Sequence, residues 1–183
     1  MLIRDADARG DAQACAAIYA PFVRDTPISF EVVAPEADDF AERIRRISLT
    51  HPWLVAESDG AVAGYAYGSR HRERAAYRWS ADVAVYIGAG NQRRGIGRAL
   101  YGALFELLVR QGLRVACAGI TLPNEASVGL HESLGFIPVG IYRRIGWKQG
   151  TWWDVGWWQL ELAGSSSDPP AEPGPPVRLD DAG

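Results

Sequence analysis

This sequence predicts an α/β domain: one mixed sheet with helices on both faces. Three observations carry that prediction. Runs rich in β-branched and aromatic residues, bounded by turn residues, recur at 53–57, 61–67, 78–87, 115–120, 137–145 and 152–162. Apolar residues at helical spacing lie between some of them, most clearly Ile96, Leu100, Ala103, Leu104, Leu107 and Leu108. The order strand, helix, helix, then strands with interleaved helices places helices on both sides of the sheet.

The elements follow in order. Residues 1–5 form a first strand, and Asp7 or Asp11 caps a helix carrying Ala14, Ile18 and Phe22 until the breakers Pro21 and Pro27 intervene. Pro35-Glu36 opens a second helix, because proline suits the first turn and acid suits the positive helix end; it stops before His51-Pro52. Asp59-Gly60 marks a tight hairpin between the strands at 53–57 and 61–67, and a polar arm covers 69–74. The central strand is 78–87. The long helix after it ends at Gly112, a short helix spans 124–134 and closes at Gly135, and a hairpin turning at 146–150 joins the last two strands. Residues 163–183 are rich in Ser, Pro and Asp and offer little to bury, so a disordered tail is expected there after one domain over 1–162.

Composition narrows the function classes. With 183 residues, 48% of them hydrophobic, the chain suits one compact domain and one site. The net charge of −3 argues against covering long nucleic acid, while local basic clusters still suit a small anion. No long apolar run suits a membrane span and no leader pattern is visible, so a cytoplasmic protein without a membrane partner is expected. Cys15 and Cys117 sit among apolar residues and read as core side chains, and three histidines without ligand spacing give no metal signal. The tryptophans at 147, 152, 153, 157 and 158 read as packing or dimer contacts rather than a stacking platform for bases.

Residues 83–100, VAVYIGAGNQRRGIGRAL, hold the strongest functional signal: a strand, a glycine-containing turn, and Gln92-Arg93-Arg94-Gly95-Ile96-Gly97 opening a helix. The first N–H groups of a helix lack internal partners, and glycines let a phosphate approach them; Arg93, Arg94 and Arg98 add charge. A Walker loop would need Lys-Ser/Thr after Gly95, and a dinucleotide fingerprint would need glycine where Leu100 stands. What remains is Q-x-x-G-x-G at a strand-to-helix junction. It resembles the pyrophosphate-binding motif of the Gcn5-related N-acetyltransferases, whose co-substrate is acetyl-CoA.

A second stretch, Asn124-Glu125-Ala126-Ser127-Val128-Gly129-Leu130-His131-Glu132-Ser133-Leu134-Gly135-Phe136, resembles that family's N-x-x-(A/S)-x-x-L-Y-x-x-x-G-F segment, with His131 at the tyrosine position. Phe30, Arg72, Arg74, Tyr77, Asp82, Tyr86, His131 and Trp153-Asp154-Val155-Gly156 resemble the signatures of the phosphinothricin and methionine sulfoximine acetyltransferases, so the likeness runs from Met1 to Leu162. The resemblance implies a mostly antiparallel, twisted sheet of six to seven strands, a homodimer and a small amino-acid substrate. It also implies cofactor contacts at Val85, Tyr86, Ile87, Gln92 through Arg98 (Arg93, Arg94, Gly95, Ile96 and Gly97 between them), Asn124, Ser127 and Ser133. The acceptor would lie against Phe30, Arg72, Glu73, Arg74, Tyr77, Asp82 and Val155.

The residue types suit acyl transfer to an amine. An ammonium must lose a proton before it attacks a thioester, and Asp82 is the candidate base, one methylene shorter than the family's glutamate and so expected to act through water. Its alternative is an ion pair with Arg72 or Arg74. By the resemblance, His131 stands where the family has the acid that protonates the departing thiolate; by itself it reads as an exposed helix residue. Arg72 and Arg74, two apart, point to one side of an extended segment and form a carboxylate clamp, or else a solvated loop. Tyr86 and the N–H groups of Val85 to Ile87 would flank the thioester carbonyl, and the resemblance implies a distortion of this strand that frees one donor for the oxyanion. Two other functions fit the same motifs: acetylation of another amine, such as a polyamine or a protein N-terminus, and CoA binding without catalysis.

Overall fold

The computed structural model describes residues 1–163 and 170–179. The strands are β1 (Leu2–Asp5), β2 (Trp53–Ser58), β3 (Ala61–Arg70), β4 (Ser80–Ile87), β5 (Val115–Leu122), β6 (Ile137–Lys148) and β7 (Thr151–Glu161). They form one seven-stranded sheet in the order β1-β2-β3-β4-β5-β7-β6. Only β4 and β5 pair in parallel; every other neighbour is antiparallel. The helices are α1 (Ala12–Arg24), α2 (Ala37–Ser48), α3 (Ile96–Gln111) and α4 (Glu125–Ser133). Both the mixed class and the expected strand number hold.

Two apolar clusters sandwich the sheet. On one face α3 buries Leu100, Tyr101, Leu104, Leu107 and Leu108 against Leu54, Ala66, Ala81 and Ala116. On the other, Cys15, Tyr19 and Val23 of α1 and Phe40 and Ile44 of α2 cover Trp53, Val55 and Tyr65. Fully burying such side chains stabilises by about 1.5–3 kcal/mol each, so the helix stripes fix which sheet face each helix covers.

Several elements depart from expectation. Pro21 does not stop α1, which continues to Arg24 and closes with Asp25 N–H donating to the Pro21 carbonyl; a proline near a helix end forfeits one backbone bond, and buried Val23 holds the last turn down. α2 starts at Ala37, with Glu36 and Asp39 forming a capping box. Residues 170–179 are held against the domain rather than free of it. Trp79 Nε1 donates to the Ala171 carbonyl, Gln111 and Gly174 exchange hydrogen bonds, the Leu179 N–H reaches Asp5, and Val177 and Leu179 pack on the core. Composition described the segment as polar, but two apolar side chains and a row of backbone groups suffice to dock it. Residues 164–169 and 180–183 of the expected tail lie outside the described residues.

One irregularity builds the site. β4 and β5 pair only over Ser80–Asp82 against Val115–Cys117 and then splay apart. On its other edge β4 stays in unbroken register with β3 from Gly64↔Ile87 to Arg70↔Ala81. The expected distortion of β4 is therefore absent from its pairing with β3. Its edge facing β5 is without a strand partner from Val83 to Ile87, because the β4–β5 pairing ends at Asp82.

Candidate active site

Beyond the C-terminal end of β4 the chain turns through residues 88–95 into α3. Gly95 precedes α3 with φ of 80°, a left-handed conformation that costs a side chain about 1–2 kcal/mol. No side chain caps the helix, so the N–H groups of its first turn stay open to a ligand. Gln92 folds back to accept the Gly90 N–H at 3.0 Å, and Arg94 donates to Asn91 at 3.0 Å. Arg98 reaches across to Ser133 Oγ at 2.8 Å, tying α3 to α4. Arg93 and Arg94 are exposed beside these groups, and Ile96 is buried as the anchor of the turn. Residues 92–98 and Ser133 are thus brought together at the start of α3, with Ile96 and Arg98 holding the scaffold.

The splay between β4 and β5 opens into a narrow cleft floored by Val85, Tyr86, Ile120, Asn124, Ser127 and His131. Asn124 Oδ1 accepts the Ser127 N–H at 3.1 Å and so caps α4. His131 is buried, 4% exposed. Its Nδ1 donates to the Ser127 carbonyl at 2.8 Å, which fixes the tautomer, and its Nε2 accepts from Tyr101 Oη at 3.0 Å. Burial holds its pKa below the ordinary imidazole value. Both ring nitrogens are engaged within the protein, so an acid role for His131 would require it to give up the Tyr101 bond. His131 is not an exposed helix residue.

A second cavity, of about 680 Å³, adjoins the cleft and shares Val83, Ala84, Tyr86, Gly119 and Thr121 with it. Phe30, Asp82, Tyr86 and Val155 line it as expected. Gly146 lets β6 press onto the Phe30 ring: a Cβ there would lie 2.1 Å from Phe30 Cε2. The 28–31 segment is pinned from below, Lys148 Nζ donating to the Ser29 carbonyl at 2.6 Å and Tyr19 Oη bonding Ser29 Oγ at 2.6 Å. The Tyr86 ring packs edge-on against Tyr19 and Phe22, and burial pushes its hydroxyl well above its usual range.

Asp82 sits on β4 opposite Ser69 of β3 and beside Cys117 of β5. Its partner is neither Arg72 nor Arg74 but His71, whose Nδ1 lies 2.6 Å from Asp82 Oδ1. Burial raises the Asp82 pKa, opposed by the His71 hydrogen bond and the positive charges nearby. Cys117 Sγ belongs to the same cluster, and burial pushes its thiol up to about 11.

The arginine clamp is not formed as expected. β3 ends at Arg70, and residues 71–74 turn rather than extend, so the alternation that would align Arg72 with Arg74 does not apply. Arg72 lies over the Trp157 ring, 5.5 Å from its centroid, and Trp157 lines the second cavity. Neither Arg72 nor Arg74 lines either cavity itself; Arg74 is exposed, Glu73 pairs with Arg70 at 3.1 Å, and Tyr77 meets the edge of His71. The role of His71 escaped sequence reading because its partner lies eleven residues away across a loop.

The profile of the family described as the acetyltransferase (GNAT) domain matches residues 5–157. A phosphinothricin N-acetyltransferase of Streptomyces viridochromogenes is 36% identical over 171 residues, covering 93% of both chains. The L-methionine sulfoximine/L-methionine sulfone acetyltransferase of Salmonella typhimurium is 35% identical over 163 residues, 88% of this chain and 95% of that one. Among solved structures, a GNAT superfamily phosphinothricin acetyltransferase from Sinorhizobium meliloti in complex with acetyl-CoA superposes with a TM-score of 0.88 at 31% identity, covering 98% of this chain and 96% of that one. An acetyltransferase from Salmonella typhimurium with its cofactor acetyl-CoA gives 0.87 at 32%, covering 92% and 98%. The family match runs through α3, α4 and both strands of the splay, and on that basis the chain belongs to the GNAT acetyltransferases and is an acyltransferase.

Proposed function

We propose that this chain transfers acetyl from acetyl-CoA directly to the α-amino group of a small amino acid of the phosphinothricin or methionine sulfoximine/sulfone type. The observation that carries this is the junction of the two cavities at β4, with Asp82 lining the acceptor side and the unpaired backbone of Val85 to Ile87 on the cleft side. In this reading the open N–H groups of α3 and Arg93 and Arg94 hold the pyrophosphate, and the β4 edge holds the pantetheine arm. Asp82 takes the ammonium proton, directly or through water, and the freed lone pair attacks the thioester carbonyl. A β4 N–H holds the oxyanion, the carbonyl re-forms as the C–S bond breaks and sulfur leaves with the electron pair, and the second proton lost by the nitrogen passes through solvent to that sulfur, giving amide and CoA thiol. The thiol of Cys117, neutral below about pH 11, supports direct transfer over an acyl-cysteine intermediate. His131 serves as the fixed partner of Tyr101, and Arg72 meets the acceptor's acid group at the rim.

Amino-acid names in the relatives support the substrate class. A second copy of this chain is proposed to cover β6, where Ile137, Val139, Ile141, Ile145 and Trp147 are exposed. The free, buried thiols Cys15 and Cys117 suit a reducing cytoplasm, and no helix among the described residues is long and apolar enough to cross a membrane.

The test is CoA release over a panel of amino acids, their phosphinate and sulfone analogues, and a polyamine, with wild type and Asp82→Asn. Turnover of the analogues and a loss of about 100-fold or more in kcat for Asp82→Asn are expected. Preference for the polyamine would overturn the acceptor class, and full activity of Asp82→Asn would overturn the base.

A further inference from the structure

We propose that His71 is a positioning residue for acyl transfer, fixing one oxygen of Asp82 so that the other stands as the proton acceptor in the acceptor cavity. The inference rests on Asp82 being the base. His71 Nδ1 and Asp82 Oδ1 are 2.6 Å apart, a length suited to a donor facing an ionised carboxylate. Asp82 lines the cavity and His71 does not, so the imidazole stands behind the carboxylate as seen from the acceptor.

The ring itself is held in place. It is wedged edge-on between Tyr77 and Trp157, with centroid distances of 5.7 and 6.0 Å, and its side chain is 15% exposed. Trp157 is steadied in turn by Arg72 on its face, and Arg72 Nη1 donates to the His71 carbonyl at 2.9 Å. No other hydrogen-bond partner of Asp82 exists among the described residues, so without His71 the short side chain would have nothing to set its rotation. A carboxylate free to rotate presents its acceptor lone pair only part of the time.

The groups facing the pair are Arg72 and Tyr77 from the connecting loop, Tyr67 from β3 and Cys117 from β5. Burial holds the Cys117 thiol up to about 11 and the Tyr67 hydroxyl up to about 12, and a guanidinium stays charged throughout. Asp82 therefore governs the acid side of the rate profile, and the His71 hydrogen bond is one of the interactions that hold its pKa down against burial.

Asparagine at position 71 separates positioning from bulk, because its amide nitrogen can stand where Nδ1 stands and donate to Asp82. His71→Asn is expected to keep kcat/KM for the acceptor within about threefold of wild type, with the acid limb near its wild-type position. His71→Ala should lose about 10- to 100-fold, the worth of a hydrogen bond to a charged group. Its acid limb should move to higher pH, because the donor that lowers the Asp82 pKa is gone. The KM for acetyl-CoA should stay constant in both, and thermal melts confirm that both fold. Wild-type rate and pH profile in His71→Ala, or equal impairment of the two folded variants, would overturn the proposal. If Asp82→Asn is inactive while His71→Ala is normal, the role of His71 fails alone; if Asp82→Asn is fully active, the base assignment fails and His71 with it.

Discussion

The two ends of β4 do related work by opposite means. At the C-terminal end, Val83 through Arg98 make a cleft edge and the proposed anion site out of backbone, in one continuous stretch whose geometry is set by Gly95 and the start of α3. At the N-terminal end, the proposed acceptor side is assembled from side chains of the 28–31 segment, β3, β4, β5, β6 and β7, with His71 of the following loop behind Asp82, so it draws on segments far apart in the chain. The histidines show the same division. His131, inside a recognisable motif, is locked neutral with both nitrogens spent, whereas His71, in a loop without a motif, touches the carboxylate that matters. Backbone sites follow local sequence; proton chemistry follows tertiary neighbours.

Apart from Asp82→Asn and His71→Ala, the largest effect expected is at the backbone end. Gly95→Ala meets no atom within 4 Å, so its cost is conformational alone, about 1–2 kcal/mol, and it should raise the KM for acetyl-CoA roughly tenfold with the acceptor KM unchanged. An equal rise in both KM values would show that the two ends are not separate devices. At the side-chain end, Arg72→Ala should raise the acceptor KM about fivefold through loss of the rim cation and its stacking on Trp157, while Arg74→Ala changes it less than twofold. The reverse order would restore the two-arginine clamp.

Stability against pH sharpens the contrast, since half-buried Asp82 and buried His131 act with opposite sign. Asp82 has a folded pKa raised above its unfolded value, so the folded state binds that proton more tightly and the ionised group costs stability at neutral pH. Asp82→Asn should therefore melt higher than wild type at pH 8 and lose that advantage as the pH falls through the raised folded pKa. His131 has a folded pKa below its unfolded value of about 6.5, so its contribution is complete above that pH and is lost as pH falls below it. Wild type should lose melting temperature between pH 7 and 5 more steeply than His131→Leu. The smallest effect is expected where residues 170–179 meet the domain: Glu172→Ala removes an exposed pair with Arg78 and should shift the melting temperature by under about 2 °C.

Much of the architecture was legible without coordinates. The helix stripe from Ile96 to Leu108 and the stop at Gly112 are local properties of the chain, as is the Asp59-Gly60 turn, because each is written in residues a few positions apart. Element ends were less so. Pro21 sits inside α1 because buried Val23 holds the last turn, and α4 begins at Glu125 because Asn124 caps it.

The sequence by itself determined the sheet-and-helix class, the strand-turn-helix anion site and the acid on β4, since hydrophobic period, positive-φ glycines and residue type need no distant partner. Only the tertiary structure decided that β4 parts from β5 without a distortion against β3, that residues 170–179 dock, and that Asp82 pairs with His71 while Arg74 faces solvent. Those outcomes turn on contacts between segments far apart in the chain. Burial and hydrogen-bond competition, which choose among such partners, exist only once the chain is packed.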